Sequence, residues 1–327
     1  KTNQQKVKDF LINNGVIIVM FILVIYTGFT SDNFFTKNNF MNILMNMSSR
    51  LVIALGIAGC VITAGCDLSA GRMIGFGACI SGMLLQRMDY SGKFFPDMQP
   101  LNVFVVALIA MLVCAAFGTV TGFFIAYLNV PPFIATLAMM EIVYGIGLIV
   151  TNATPLGGYV EQYTNVSNGK FLGINYLIWI AIIVAAITWF IFNMTRHGKY
   201  MYAIGGNPQA AEVAGVPVKA TLILIYMKAA AMYGLAGFML GAKAGGASVQ
   251  TGYGYEMEAI AACTIGGVSV TGGRGKVSSA IIGVAVFELL KVALQYLGMN
   301  ANAQYIAIGV VIFVAISLDI RKYIARK

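Results

Sequence analysis

The sequence predicts an all-α, polytopic membrane protein, and three observations support that fold class. Of the 327 residues, 59% are hydrophobic and only 10% are charged, which lies outside the composition of soluble domains. Apolar segments of roughly 20 residues recur along the whole chain, and this length crosses a ~30 Å hydrocarbon core as a helix. These segments are longer than the alternating strands that a membrane β-barrel would show.

We predict about ten transmembrane helices, some of them short or broken. They cover approximately residues 11–30, 42–65, 73–88, 101–128, 132–151, 175–194, 220–242, 258–271, 277–297 and 304–320. Short spans interrupted by glycine are typical of broken helices that line a cavity. Residues 1–327 are therefore interpreted as one transmembrane domain. No cleavable secretory signal is apparent before the first span, which we interpret as retained.

The positions of lysine and arginine predict the orientation, because basic residues that flank a span stay in the cytoplasm. These residues are Lys1, Lys6 and Lys8 at the start, Arg196, Lys199 and Lys219 around the loop of about residues 195–219, and Arg321, Lys322, Arg326 and Lys327 at the end. Both termini and this loop are predicted to be cytoplasmic. The glycine- and asparagine-rich residues 152–174 are predicted to lie outside. An even number of spans places both termini on the same side of the membrane, in agreement with these assignments.

Composition also argues against several classes of function. The net charge of +9 is not gathered into one basic stripe with interleaved aromatics, so we expect no nucleic-acid partner. The five cysteines form no CxxC pair and are interpreted as free thiols, and no metal site is expected. The stretch GGRGK at residues 272–276 fails as a phosphate loop, because Val270 and Val277 stand where that motif needs glycine and Ser or Thr. We expect no cofactor and no ATP site on this chain.

The loop of residues 195–219 contains the signature of a short helix, AIGGNPQAAEVAGV at residues 203–216. Asn207 can cap the helix, Pro208 suits its first position, and Gly215 can take the left-handed conformation after it. A helix of about two turns is too short to be stable alone in water. It is therefore predicted to dock on its own bundle, on the membrane surface or on another protein, although a simple connecting turn is the alternative. The loop has few basic and aromatic residues for a membrane anchor.

Three motifs carry a resemblance to a known family. The pattern G-G-N-P-x-A-A-x-x-A-G-V in the loop resembles the coupling segment of ABC-importer permeases. TAGCDLSAG at residues 63–71, which Arg72 follows, and AIAACTIGGVSVTGGRG at residues 259–275 resemble the two signatures of sugar permeases of the ribose and galactose type. The resemblance extends from about residue 10 to the C-terminus. Cys66, in the first signature, stands where such permeases vary.

The resemblance implies a permease subunit of an ATP-driven importer in a bacterial inner membrane. Its implied cargo is a monosaccharide, with galactose or a methyl galactoside favoured. The permease itself is expected to make and break no covalent bond during transport. The implied partners are a cytoplasmic ATP-binding subunit, a periplasmic sugar-binding protein, a second copy of the chain and the lipid bilayer. The ATPase-docking residues would be Gly206, Asn207, Pro208, Ala210, Ala211, Glu212 and Gly215. The translocation path or gate would include Asp67, Ser69, Gly71, Gly266, Gly267, Ser269, Gly272 and Gly273.

Several of these residues have two interpretations. Asp67 is either a cap for a helix that opens at Leu68 or a polar group at a gate. Residues 266–273 form either a simple turn or an unwound segment that faces a water-filled path. Glu141 and Lys228 are charged within predicted spans, so either they pair inside the bundle or each reaches an aqueous cavity or the interface. Glu288 and Lys291 are three apart and share a helical face.

The remaining polar residues are expected to have ordinary roles. Tyrosines near the outer face belong to the interfacial belt or line the sugar path, and they are Tyr144, Tyr159, Tyr163, Tyr253 and Tyr255. His197 is expected to be a solvated loop residue. The rival function is a secondary sugar transporter driven by an ion gradient, for which Glu141 and Glu288 would be the candidate carboxylates. An enzyme is disfavoured, because the chain shows no catalytic constellation and only one histidine.

Overall fold

The computed structural model describes residues 18, 20–31 and 33–324, and they form an α-helical bundle. Its helices are α1 Met20–Thr30, α2 Lys37–Ile62, α3 Ala70–Leu84, α4 Val103–Tyr127, α5 Pro132–Thr151, α6 Glu161–Asn168, α7 Tyr176–Met194, α8 Arg196–Gly206, α9 Pro208–Val213, α10 Val218–Ala244, α11 Tyr255–Gly266, α12 Val277–Tyr296 and α13 Ala301–Ile324. A two-stranded antiparallel hairpin joins β1 Lys170–Phe171 to β2 Ile174–Asn175.

Each of the ten predicted segments corresponds to a helix in the part of the chain that the structure describes. Within the described residues, six helices are long and apolar enough to cross a membrane, namely α2, α4, α5, α7, α10 and α12, and α1, α3 and part of α13 are shorter apolar helices. The span predicted at 258–271 is shorter than expected, because α11 ends at Gly266. The beginning of the first span and the terminal residues Lys1, Lys6, Lys8, Arg326 and Lys327 lie outside the described residues.

Helix α10 is the centre of the bundle and contacts α4, α3 and α2. Small residues let these helices approach closely, as is common in membranes. A β-carbon at Gly234 of α10 would lie 2.4 Å from the carbonyl oxygen of Ala110 in α4, and one at Gly118 would lie 2.4 Å from that of Tyr226. At these two positions α4 and α10 are therefore in backbone-to-backbone contact.

Two breaks, here defined as short non-helical segments between consecutive helices, interrupt the bundle. The first break, residues 63–69, lies between α2 and α3, where Ala64 adopts a positive φ of 58°. The second break, residues 267–276, lies between α11 and α12 and begins at Gly267, with φ of 103°. Each coincides with one of the two glycine-rich signatures. The second signature is thus non-helical from Gly267 onward, which leaves both interpretations of residues 266–273 open.

The segment predicted to lie outside, residues 152–174, is folded rather than a simple loop. It contains α6 and the hairpin, and its Leu156 pairs in antiparallel fashion with Ala247, after α10. Tyr163 is fully buried and its hydroxyl donates to the carbonyl of Phe238 at 2.7 Å. Helix α7 runs from this segment to α8, which leads into α9. The end of the bundle that carries α6, here called the α6 end, is therefore opposite to the end that carries α9, here called the α9 end.

Candidate coupling and transport site

Helix α9 forms as the sequence predicts. Asn207 is extended, with φ of −162°, and its Oδ1 accepts a hydrogen bond from the backbone N–H of Ala210 at 2.9 Å. Pro208 occupies the first helical position, and Gly215 follows the helix with φ of 83°. These contacts cap both ends of α9. A helix of six residues needs such caps, because it forms few backbone hydrogen bonds within itself.

The exposure of α9 defines which of its residues a partner could touch. Gly206, Asn207, Pro208, Ala210, Glu212 and Gly215 are exposed. Ala211, included among the predicted docking residues, is only 5% exposed, so it is covered by the rest of this chain. Val213 is 91% exposed and presents an isolated apolar tip. Sequence reasoning overlooked it, because periodicity in six residues does not identify the outer face.

Helix α8 was not predicted, and it changes the interpretation of His197. Thr195 caps α8 by accepting from the N–H of Gly198 at 3.2 Å. His197 is half-buried rather than fully solvated, and its Nε2 has no hydrogen-bond partner among the described residues. Burial, together with the nearby positive charge of Lys228, lowers the pKa of His197 to about 4. The imidazole is therefore neutral at physiological pH.

The C-terminal end of α8 meets both breaks of the bundle. The N–H of Gly273 donates to the carbonyl of Ile62, the last residue of α2, at 2.8 Å. A β-carbon at Gly205 would lie 1.8 Å from that same carbonyl oxygen and 2.6 Å from the nitrogen of Gly273. The hydroxyl of Tyr202 donates to the carbonyl of Gly275 at 2.8 Å. The segment that carries α9 is thus in direct contact with both glycine-rich signatures.

The first break is closed by its own polar side chains. Asp67 Oδ1 accepts from the backbone N–H of Ser69 at 3.0 Å and from its hydroxyl at 2.5 Å, and both residues are buried. Asp67 therefore forms the turn that leads into α3, which begins at Ala70 rather than at Leu68. A β-carbon at Gly71 would lie 2.0 Å from Oε2 of Glu256 and 2.9 Å from the carbonyl of Gly252, so Gly71 joins α3 to the start of α11.

The second break is a tight backbone turn. The N–H of Ser269 donates to the carbonyl of Arg274 at 3.0 Å, and the N–H of Gly272 donates to the carbonyl of Ser269 at 3.1 Å. Before this turn, Gly266 permits close approach to α12, because its β-carbon would lie 1.8 Å from the carbonyl of Ser279. Gly267 ends α11 in the left-handed conformation.

A buried charge network joins α2, α11 and α12, and sequence reasoning did not find it. Arg50 forms ion pairs with Glu288 and with Glu258, the latter at 3.3 Å, and Lys291 binds Glu258 at 2.6 Å. Glu288 and Lys291 thus bind different partners instead of each other. A polar cavity of about 720 Å³ adjoins the network and is lined in part by Arg50, Glu258 and Lys243.

The hypothesis that Glu141 or Lys228 pairs inside the bundle is not supported. Neither forms an ion pair among the described residues. Glu141 is exposed on α5, and Lys228 is half-buried on α10 beside Phe192 and Met201. The second interpretation, contact with a cavity or interface, fits Glu141.

The five tyrosines fall into three groups. Tyr159 and Tyr163 are buried in the folded outer segment, so neither presents its ring to a path or to the interface in this structure. Tyr144 and Tyr253 lie on either side of Arg72, whose guanidinium carbon is 3.9 Å and 4.4 Å from their ring centroids. Tyr255 instead stacks on Arg50 at 5.0 Å. Arg72 is the residue that directly follows the first signature.

Comparison with known proteins is consistent with this arrangement. A family described as "Branched-chain amino acid transport system / permease component" matches residues 39–316. No solved structure gives a significant match.

The chain is also similar over its full length to individual permeases. It is 39% identical to the galactose/methyl galactoside import permease protein MglC of Escherichia coli (strain K12), over 99% of each chain. It is 41% identical to the MglC protein of Haemophilus influenzae, over 98% of this chain and 97% of that one. Identity to the ribose import permease protein RbsC of E. coli (strain K12) is 32%, over 96% of each chain.

These relatives are transport subunits and not enzymes. Together with the family match, they make the chain a multi-pass protein of the inner membrane, in agreement with the six apolar helices among the described residues. The match covers both breaks and the segment that carries α9. The chain belongs to the family of permease components described for the branched-chain amino acid transport system.

Proposed function

We propose that the chain is the permease subunit of an ATP-driven importer that carries galactose or a methyl galactoside across the inner membrane. A periplasmic binding protein delivers the sugar to the α6 end. Full-length relatives at 39–41% identity are named for this cargo, and the ribose permease is more distant at 32%. The similarity to the galactoside permeases and the similarity to the ribose permease both favour an importer over a secondary transporter driven by an ion gradient.

The observation that carries the proposal is the position of α9. Its exposed tip, with Val213 at 91% exposure, is suited to a groove on a separate ATP-binding subunit. The segment before it contacts Ile62 and Gly273, at the two breaks of the bundle. A movement of α9 can therefore be transmitted to both breaks through these direct contacts. The partner binds and hydrolyses ATP, and this chain binds no cofactor.

The working unit is a homodimer, with the sugar path between two copies. ATP binding closes the partner subunits, moves both α9 helices and shifts the bundle between outward-open and inward-open arrangements. Such a shift requires each ligand to bind the two arrangements with different affinity. The exposed Glu141, at the middle of α5, supports an aqueous path beside this helix, since charge facing lipid is unfavourable.

Co-purification of the ATP-binding subunit tests the docking role. Val213→Asp places a charge at the apolar tip and is expected to abolish co-purification and sugar-stimulated ATPase activity, while the permease still inserts in the membrane. For co-purification, Leu172→Asp is the matched control, because Leu172 is 79% exposed at the α6 end, opposite to α9. Normal ATPase co-purification with the Val213→Asp variant would contradict the docking role. Sugar uptake driven by an ion gradient, by a permease that purifies alone, would favour the secondary transporter.

A further inference from the structure

Four side chains form a compact polar cluster around Arg72, here called the Arg72 cluster and comprising Arg72, Tyr144, Gln250 and Tyr253. The guanidinium lies between the two tyrosine rings, at 3.9 Å and 4.4 Å from their centroids. Arg72 also donates to Oε1 of Gln250 at 2.8 Å, and Nε2 of Gln250 donates to the hydroxyl of Tyr144 at 3.1 Å. Cation–π contact and hydrogen bonds therefore hold the four groups in one arrangement.

The Arg72 cluster lies at membrane depth and is open on one side. Tyr144 is near the middle of α5, and Arg72 is in the first turn of α3, directly after the first break. Gln250 is exposed and Tyr253 is 61% exposed. Glu141, about one turn from Tyr144 on α5, is also exposed and has no ion pair within the described ranges.

Exposed polar groups on a membrane-spanning helix make contact with lipid energetically unfavourable. A charged side chain inside a membrane almost always faces a bundle interior or a water-filled cavity. Leu112 marks the contrast, since it is 60% exposed near the middle of α4 among other exposed apolar residues. Glu141 and Arg72 therefore favour water over lipid on this side of α5, although the apolar Leu137 and Ile142 are exposed there as well.

The chemistry of the cluster matches a pyranose sugar. Such a ring has C–H faces that stack on aromatic side chains. Its rim of hydroxyls can form hydrogen bonds with guanidinium groups, amides and carboxylates. Tyr253 offers an exposed ring, Gln250 an amide, and Glu141 a carboxylate nearby. Arg72 has five N–H donors, and among the described residues it donates two hydrogen bonds, to Gln250 and to the carbonyl of Val249.

We propose that the Arg72 cluster, with Glu141, is a contact site for the monosaccharide on its way through the membrane. This assignment rests on the proposed function, because it requires a sugar as cargo. Tyr253 stacks on the sugar and the polar groups bind its hydroxyls. The opposing possibility is a purely structural stack, in which Arg72 only fixes the loop of residues 248–253 to α3.

Thiol labelling tests whether the surface faces water, independently of transport. Of the native cysteines, four are buried and Cys66 is half-buried, so a Cys66→Ser background leaves few reactive thiols. In the full assembly, Tyr253→Cys and Glu141→Cys are expected to react with a hydrophilic maleimide about tenfold faster than Leu112→Cys, since the reactive thiolate needs water. Equal, slow labelling of all three would overturn the proposal.

Sugar discrimination tests the contact itself. In proteoliposomes with both partner proteins, Tyr253→Ala is expected to change the ratio of galactose to methyl galactoside transport by about three- to tenfold, while Tyr253→Phe, which keeps the ring, stays within about twofold. A structural stack would slow both sugars equally, and an unchanged ratio would overturn the assignment. If the wild-type complex transports no sugar in the presence of ATP, both the proposed function and the assignment of a sugar contact site fail. The labelling experiment would still show whether the surface faces water.

Discussion

Single glycines determine how closely the α8 segment approaches the breaks, and Gly272 is the clearest case. Its φ is 86°, and a β-carbon there would lie 2.6 Å from the carbonyl of Gly205 and 2.8 Å from the β-carbon of Ala64. Both the backbone conformation and the available space therefore exclude a larger residue. The sequence alone marked Gly272 as part of a signature, but it did not reveal the neighbours that make glycine necessary.

Gly272→Ala is expected to destabilise the permease by about 1–3 kcal/mol, because alanine is strained at positive φ and meets two backbone neighbours. Thermal unfolding of the purified protein in detergent measures the loss. Gly145→Ala is the matched control, since no atom lies within 4 Å of its β-carbon position in α5. Equal effects of the two substitutions would show that the contact with Gly205 is unimportant.

His197 gives the fold a pH dependence. Burial and Lys228 lower the pKa of His197 from 6.5 to about 4, so the unfolded chain takes up the proton first as the pH falls. The contribution of neutral His197 is present above pH 6.5 and is lost progressively between 6.5 and 4.

Between pH 7 and pH 5, the wild type is expected to lose roughly 1 kcal/mol more stability than His197→Gln, a figure that allows for partial solvent screening. Unfolding midpoints at the two pH values provide the comparison. Parallel pH profiles of the two proteins would show that His197 is not the group responsible.

At the scale of elements, the Arg50 network connects the three helices that form one side of the bundle. Glu288 is only 1% exposed, and Arg50 is its ion-pair partner. Removing one member of a buried pair leaves an uncompensated charge, whereas replacing both is often tolerated.

Arg50→Met is therefore expected to lower the free energy of unfolding by about 3–5 kcal/mol, and Arg50→Met with Glu288→Gln by clearly less. Chemical unfolding of the single and double variants provides this cycle. Additive losses would indicate that the two residues are not coupled.

The helices were largely predictable, because long apolar segments with few charges have one stable structure in a membrane. Bounds agreed within a few residues for α4, α5, α7 and α12. The site was predictable only where its cause is local, as in the cap formed by Asn207 on Ala210. Contacts between residues far apart in sequence, such as Arg50 with Glu288, leave no periodic signal. The burial of Ala211 and Tyr163 depends on such contacts as well.

At the scale of the whole molecule, the proposed dimer predicts the composition of the complex. Native mass spectrometry of the assembly in mild detergent is expected to show two copies of this chain with two ATP-binding subunits. Val213→Asp is expected to leave the permease dimer intact and remove only the ATP-binding subunits, since α9 lies at the end of the bundle. A complex with a single copy of this chain would contradict a path between two copies.

The pairing of Leu156 with Ala247 has a consequence for how cargo is received. It joins the folded outer segment, where a delivery protein would sit, to the loop that carries Gln250 and Tyr253. Two backbone hydrogen bonds, of 2.8 Å and 2.9 Å, tie these two segments together. Under the proposed function, a sugar-loaded binding protein that docks on the outer segment would therefore also displace the loop that carries Tyr253, so that delivery of the sugar and a movement at its proposed contact site would be coupled.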